Sequence, residues 1–127
     1  MSKPFGYSYL LDLYDCREGA ADDLELNYRF LEKFVDIIGM TKQGPPHVYH
    51  GPTGKGVELY PDKAGVSAWI ALIESGIQIH TIEPKRFVSI DVYTCGTLNT
   101  IEARKFAVDT YGAMDFDEAF ITRGGRY

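Results

Sequence analysis

The stretch 71-ALIESGIQIHTIE-83 decides how this chain is read. Two apolar runs rich in β-branched residues, 66–73 and 77–82, are separated only by Glu74, Ser75 and Gly76. Runs of this kind joined across so few residues form a hairpin of antiparallel strands. The small Ser75-Gly76 pair is the expected bend. A serine at a bend between core strands, with His80 five residues on, is also the raw material of nucleophilic chemistry.

Outward from the hairpin, the strand pattern recurs at residues 57–60, at 87–94 and near 118–122. Tyr7 to Tyr14 supplies a first strand, rich in aromatic and aliphatic residues. Elsewhere the period changes. Leu24, Tyr28, Leu31, Val35 and Ile38 step by three and four, which places them on one helical face. Asp22 and Asp23 suit the start of that helix, and Gly39 its end. A second helix spans 100–111, with Asn99 or Thr100 as cap, Glu102 in the capping-box position, and Ala103, Phe106 and Ala107 as its apolar stripe. Residues 40–56, dense in Gly and Pro, read as a long loop. Several strands broken by two widely spaced helices predict an α+β fold: a two-layer α/β sandwich, mainly antiparallel, with helices on one face. One face of such a sheet is left to cover, and pairing with a second copy covers it. A homodimer is expected.

Composition narrows the function classes. A length of 127 residues suits a single domain, 1–127. The net charge of -5 argues against generic binding to nucleic acid or an anionic membrane. No apolar run approaches a membrane span, and the opening MSKPFGYSY lacks the apolar core of a signal peptide. Cys16 and Cys95 are too few and too far apart for a disulfide framework or a zinc knuckle, so a cytoplasmic protein with two thiols is expected.

Two motifs fail on inspection. GPTGKG, at 51–56, suggests a phosphate loop, but Tyr49 stands where the first glycine belongs and Gly56 where Ser or Thr would meet magnesium. His47 and His50 have no nearby Cys, Asp or Glu partner, so no metal is expected. Taken singly, Cys95 at a strand end reads as a small buried hydrophobe, His80 as a structural histidine and Ser67 as an ordinary strand residue.

Together they form a pattern. Gly65-Val66-Ser67, Glu74-Ser75, Ile79-His80-Thr81 and Asp91-Val92-Tyr93-Thr94-Cys95-Gly96 resemble the S-adenosylmethionine decarboxylase family in its short bacterial and archaeal branch. Tyr9 to Tyr14 and the closing Thr122-Arg123-Gly124 share the likeness, which covers most of the chain. The resemblance implies a proenzyme that cuts itself between Glu74 and Ser75 into 1–74 and 75–127. Ser75 would become a pyruvoyl group, the cofactor that condenses with the substrate amine as a Schiff base and accepts electrons as carbon dioxide leaves. It further implies that Ser67 and His80 assist processing and that Cys95 returns a proton to the decarboxylated carbon. The product would be the aminopropyl donor of spermidine synthesis, made by a dimer with substrate near its interface.

The likeness has three departures, all around substrate. Gly76 stands where the family has histidine. The family's Pro-Glu becomes Glu83-Pro84, and the glutamate is the residue expected to hold the ribose hydroxyls; a shift of one residue along a strand turns it to the other face. With an extra residue in the preceding loop, Tyr60 takes the place of the aromatic expected to stack on adenine. Two alternatives therefore stand beside the main reading: a pyruvoyl decarboxylase of ornithine or arginine, and an uncut homologue acting as a binding or regulatory subunit.

Overall fold

The computed structural model describes residues 3–53 and 55–127; Met1, Ser2 and Gly54, the last within GPTGKG, lie outside the described residues. Six strands form one sheet: β1 (Gly6–Tyr14), β2 (His47–Gly51), β3 (Gly65–Leu72), β4 (Ser75–Ile82), β5 (Phe87–Thr94) and β6 (Asp115–Arg123). Their order is β2-β3-β4-β5-β1-β6, and every neighbouring pair is antiparallel. Helices α1 (Leu24–Ile37) and α3 (Thr100–Tyr111) cover one face. Among the described residues no helix is long and apolar enough to cross a membrane.

Side-chain alternation explains the two layers. Leu11 and Leu13 of β1, Val66, Ala68, Ile70 and Leu72 of β3, Ile77 and Ile79 of β4, and Val88, Ile90 and Val92 of β5 turn inward and are buried. Against them pack Phe30, Leu31, Phe34 and Val35 of α1 and Ala103, Ala107 and Tyr111 of α3. The helices meet through stacked rings, Phe106 lying 5.5 Å from Phe30 and 6.1 Å from Phe34. Buried Asn27 on α1 accepts from the Tyr111 hydroxyl at 2.6 Å and donates to the Asp23 carbonyl at 2.8 Å. Both helix starts are capped: Asp23 accepts from the Leu26 amide, and Asn99 from the Ile101 and Glu102 amides.

Four expectations need correction. Residues 57–60 are not a strand; they fall in or just after a short helix, α2 (Lys55–Leu59). The outer edge of β3 is already taken by β2, so this segment bonds its amides locally, as in Tyr60 N–H to the Gly56 carbonyl at 2.8 Å. Within the expected loop 40–56, β2 pairs His47 with Trp69 and Gly51 with Gly65. The buried stripe of α1 runs through Asn27, Phe30, Leu31, Phe34 and Val35, leaving Leu24 and Tyr28 39% and 36% exposed at the rim of a groove against β2. Finally, the hairpin bend is Ile73-Glu74, because Leu72 pairs with Ser75 and Gly76 lies inside β4.

Among the described residues neither α1 nor α3 covers the other sheet face. It presents Trp69, Gln78, His80, Asp91, Tyr93, Asp12 and Ile121, with Trp69 46% exposed. Of the candidate site residues, Ser67 and His80 lie on this open face.

Candidate active site

The site begins with the two-residue turn between β3 and β4. Turns this tight favour Gly, Asn or Asp at positive φ, and Ile73-Glu74 supplies none of these. The distortion emerges one residue on: Ser75 has φ 141°, a conformation that side-chain-bearing residues rarely adopt. Contacts on both sides hold it. The Ile73 amide donates to the Thr41 carbonyl at 2.9 Å. The Glu74 carboxylate accepts from the Thr41 amide at 2.9 Å and its hydroxyl at 3.2 Å. That amide bond is the main reason the Glu74 carboxyl titrates below the usual range. From the other side, the Cys95 amide donates to the Glu74 carbonyl oxygen at 2.8 Å.

Cys95 reaches this position because β5 ends opposite the turn, Thr94 pairing with Ser75. Thr94 is buried and its hydroxyl accepts from the Gly96 amide at 2.8 Å, which fixes the bend after the strand. Gly6 makes room on the far side: a Cβ there would lie 2.0 Å from the Thr94 carbonyl oxygen and 2.7 Å from the Cys95 Cα. Cys95 itself is exposed, not the buried hydrophobe that its place in the sequence suggests; Cys16 is the buried thiol.

A second cluster forms at the opposite end of the hairpin. Ser67 pairs with His80 across β3 and β4, and the Ser67 hydroxyl lies 3.0 Å from His80 Nδ1. Tyr60 and Lys63 join them around a hollow of about 290 Å³. Five residues of extended strand separate His80 from Ser75, a span of about 16 Å. A single chain therefore brings Glu74, Ser75 and Cys95 together, and Ser67, His80 and Tyr60 together, but keeps the two sets apart.

A family model described as S-adenosylmethionine decarboxylase matches residues 7–124. This chain belongs to the S-adenosylmethionine decarboxylase family. It is 31% identical over 125 residues to the S-adenosylmethionine decarboxylase proenzyme of Persephonella marina, covering 98% of this chain and 86% of that one. The proenzyme of Sulfurihydrogenibium sp. shows the same identity and coverage. In three dimensions the chain is similar to the crystal structure of the adenosylmethionine decarboxylase from Aquifex aeolicus VF5, with a TM-score of 0.79, 26% identity, and 97% and 93% of the two chains covered. The α+β sandwich is thus a fold of the S-adenosylmethionine decarboxylase family.

Within that family frame, Glu83 is not brought to either cluster. It begins the 3-10 turn Glu83–Lys85 after β4 and turns towards the Gly19 amide. One carboxylate oxygen accepts from the Gly19 amide at 3.2 Å, while the other is buried without a partner among the described residues. Nearby, burial foremost and the Glu83 charge next push the Cys16 thiol up to about 11.

On the open face, Ser75 and Gly76 border a depression of about 580 Å³ shared with Ser8, Trp69, Asp91 and Arg123. Asp91 and Arg123 fall within the blocks that carry the family likeness, but nothing in the sequence marks any of those four as a site residue. Arg123 in particular arrives by long-range register, β6 pairing with β1 so that Arg123 lies opposite Gly6. Among the described residues no group of three or more His, Cys, Asp or Glu side chains is placed to hold a metal ion.

Proposed function

We propose that this chain is a self-processing, pyruvoyl-dependent decarboxylase of S-adenosylmethionine, producing the aminopropyl donor of spermidine synthesis. The observation that carries the self-processing is the state of the Glu74–Ser75 bond: an off-region φ at Ser75 beside a carbonyl that already accepts from the Cys95 amide.

Both features favour an acyl shift. The Ser75 hydroxyl adds to the Glu74 carbonyl carbon, and the oxygen that gains charge is the one facing the Cys95 N–H. The carbon–nitrogen bond then breaks, the proton passes to the Ser75 nitrogen, and Glu74 is left as an ester on Ser75. Loss of the Ser75 α-proton expels Glu74 as a carboxylate. Water finishes the conversion, releasing ammonia and leaving a ketone at residue 75. The fragments are 1–74 and 75–127.

Residue 75 fits this role because it borders the depression on the sheet's free face, where substrate can approach. Once formed, the pyruvoyl group supplies an electron sink for decarboxylation. Cys95 follows the strand residue opposite Ser75 and carries an exposed thiol, suited to return a proton to the carbon that loses carbon dioxide. Tyr60, beside Ser67 and His80, is the aromatic face for the adenine ring. Glu83 is left as a support for the Gly19 turn, not as a ribose ligand.

The separation of about 16 Å between Ser75 and His80 calls for a second copy. Two open faces packed about a two-fold axis present the Ser67–His80 pair of one protomer to the Ser75 of the other. The apolar and aromatic residues on that face, Trp69 and Ile121 among them, support the same arrangement. A homodimer in the cytoplasm accords with two thiols kept free, Cys16 and Cys95.

Intact mass under denaturing conditions tests the processing. The expected result is two fragments split at Glu74–Ser75, the second lacking a free α-amine, with Ser75→Ala remaining one chain and inactive. A purified wild-type chain that stays whole and inactive would overturn the reading.

A further inference from the structure

Arg123 is the one cationic side chain among the described residues that line the Ser75 depression, and it is held there on two sides. Its Nη1 donates to the Ser8 hydroxyl at 2.8 Å. Its guanidinium lies over the Tyr93 ring, 4.6 Å from the centroid. Tyr93 is the cross-strand partner of both Ser8 and Gly76, so the charge is parked over the strand beside residue 75. Gly76, having no side chain, puts nothing between them. The other charged group lining the depression is Asp91, and no ion pair joins it to Arg123 among the described residues. Burial, followed by repulsion from Asp12, raises the Asp91 pKa.

A fixed guanidinium with free donors suits a planar carboxylate. An amino-acid substrate with its amine at residue 75 carries such a carboxylate one carbon further on. We infer that Arg123 is a specificity-determining residue that binds the α-carboxylate of the substrate. This rests on the decarboxylase reading and adds the group that discriminates substrate from product. The product lacks the carboxylate, so it forfeits the contact that the substrate makes. Asp91 and the face of Trp69 remain for the opposite charge, the sulfonium. Ser8 and Tyr93 act as positioning residues, holding the guanidinium in place.

The test is equilibrium binding to the processed holoenzyme by calorimetry, with two unreactive probes. One is S-adenosylmethionine lacking its amine; the other lacks both amine and carboxylate. Arg123→Gln should weaken the carboxylate-bearing probe by about 10- to 100-fold, the range of a charge-assisted contact, and leave the other within about 2-fold. Arg123→Lys should retain part of the preference, and Ser8→Ala, which frees the guanidinium, should reduce it less than Arg123→Gln does. Parallel weakening of both probes would reduce Arg123 to a packing role, and unchanged binding of both would remove it from the site; either overturns the inference. If the wild-type holoenzyme, shown by mass to be cut, binds neither probe, the adenosyl substrate itself is wrong and the inference falls with it. A carboxylate preference that survives Arg123→Gln overturns the inference alone.

Discussion

Replacing Ser75 with glycine and, separately, with alanine isolates the strain at the proposed cutting site. Both variants lack the hydroxyl and remain uncut, so their stabilities compare like with like. A side chain held at φ 141° costs about 1–3 kcal/mol, and alanine keeps that cost while glycine removes it. Against this, glycine loses about 0.5–1 kcal/mol more backbone entropy on folding than alanine does. The net expectation is that Ser75→Gly is the more stable by about 1 kcal/mol. For a domain of this size that is a rise in midpoint of about 3–5 °C. Thermal and urea unfolding of the two full-length chains would read it. The ordinary strand result, glycine less stable than alanine, would refute the reasoning, because it would mean that Ser75 stores nothing. The same energy bears on the proposed function: strain of about 1–3 kcal/mol, fully released in the proposed acyl shift, would accelerate it by about 5- to 150-fold.

Three further outcomes are expected. Co-expressing Ser75→Ala with His80→Ala should recover part of the decarboxylation that neither chain shows alone, since the mixed dimer retains one site with both Ser75 and a partner's His80; no recovery in a mixed dimer shown by mass would refute the shared site. Tyr111→Phe removes the donor that Asn27 receives at 2.6 Å in the core and should cost about 1–3 kcal/mol in urea unfolding. Asp12 has a carboxyl pKa raised by burial first and by Asp117 second. A raised carboxyl pKa favours the folded state at low pH and is a liability once the group must ionise. Asp12→Asn should therefore raise the melting temperature at pH 7, with the gain shrinking as pH falls towards about 4.

The parts of the fold legible in the sequence are those whose pattern is set by burial. Helices α1 and α3 pack against the sheet, so their apolar residues repeat with the helical period, and the caps Asp23 and Asn99 mark their starts. Strands β3, β4 and β5 are central and buried on one face, so they alternate. Helix α2 buries none of its side chains, so nothing imposes a period on it, and Val57 and Leu59 suggest a strand. Strand β2 is an edge strand of five largely exposed residues, and Pro45-Pro46 before it reads as loop. Asn27 hid the true stripe of α1 because a buried amide satisfied by Tyr111 looks polar in one dimension.

At the site, hairpin pairing sets Ser67 opposite His80 and Ser75 opposite Thr94, next to Cys95, while the roles of these residues come from the family likeness. The orientation of Glu83 is set by the short 3-10 turn Glu83–Lys85 that follows β4, with Pro84 inside it. Arg123 could not be placed in the same way. Its position depends on the pairing of Gly6 with Arg123, 117 residues apart, and on a side chain that folds back over Ser8 and Tyr93.

The two faces of the sheet impose different demands, and the turn at Ile73-Glu74 is where they meet. The helix-covered face closes on itself and settles the register of β3, β4 and β5 through Ile70, Ile77, Ile79, Ile90 and Val92. A one-residue slip would send all of these to the open face, so the register is not free to relax a poor turn. The turn residues lack the glycine or asparagine that a two-residue hairpin favours, and Thr41 and Cys95 clamp the Glu74 side chain and carbonyl. Distortion that neither the core nor the clamps will absorb is left to the next bond. That bond joins Glu74 to Ser75, and the residue after it is a glycine whose backbone resists least. A core this well determined thus leaves its backbone distortion at Ser75, beside the one bond that the proposed processing would cut.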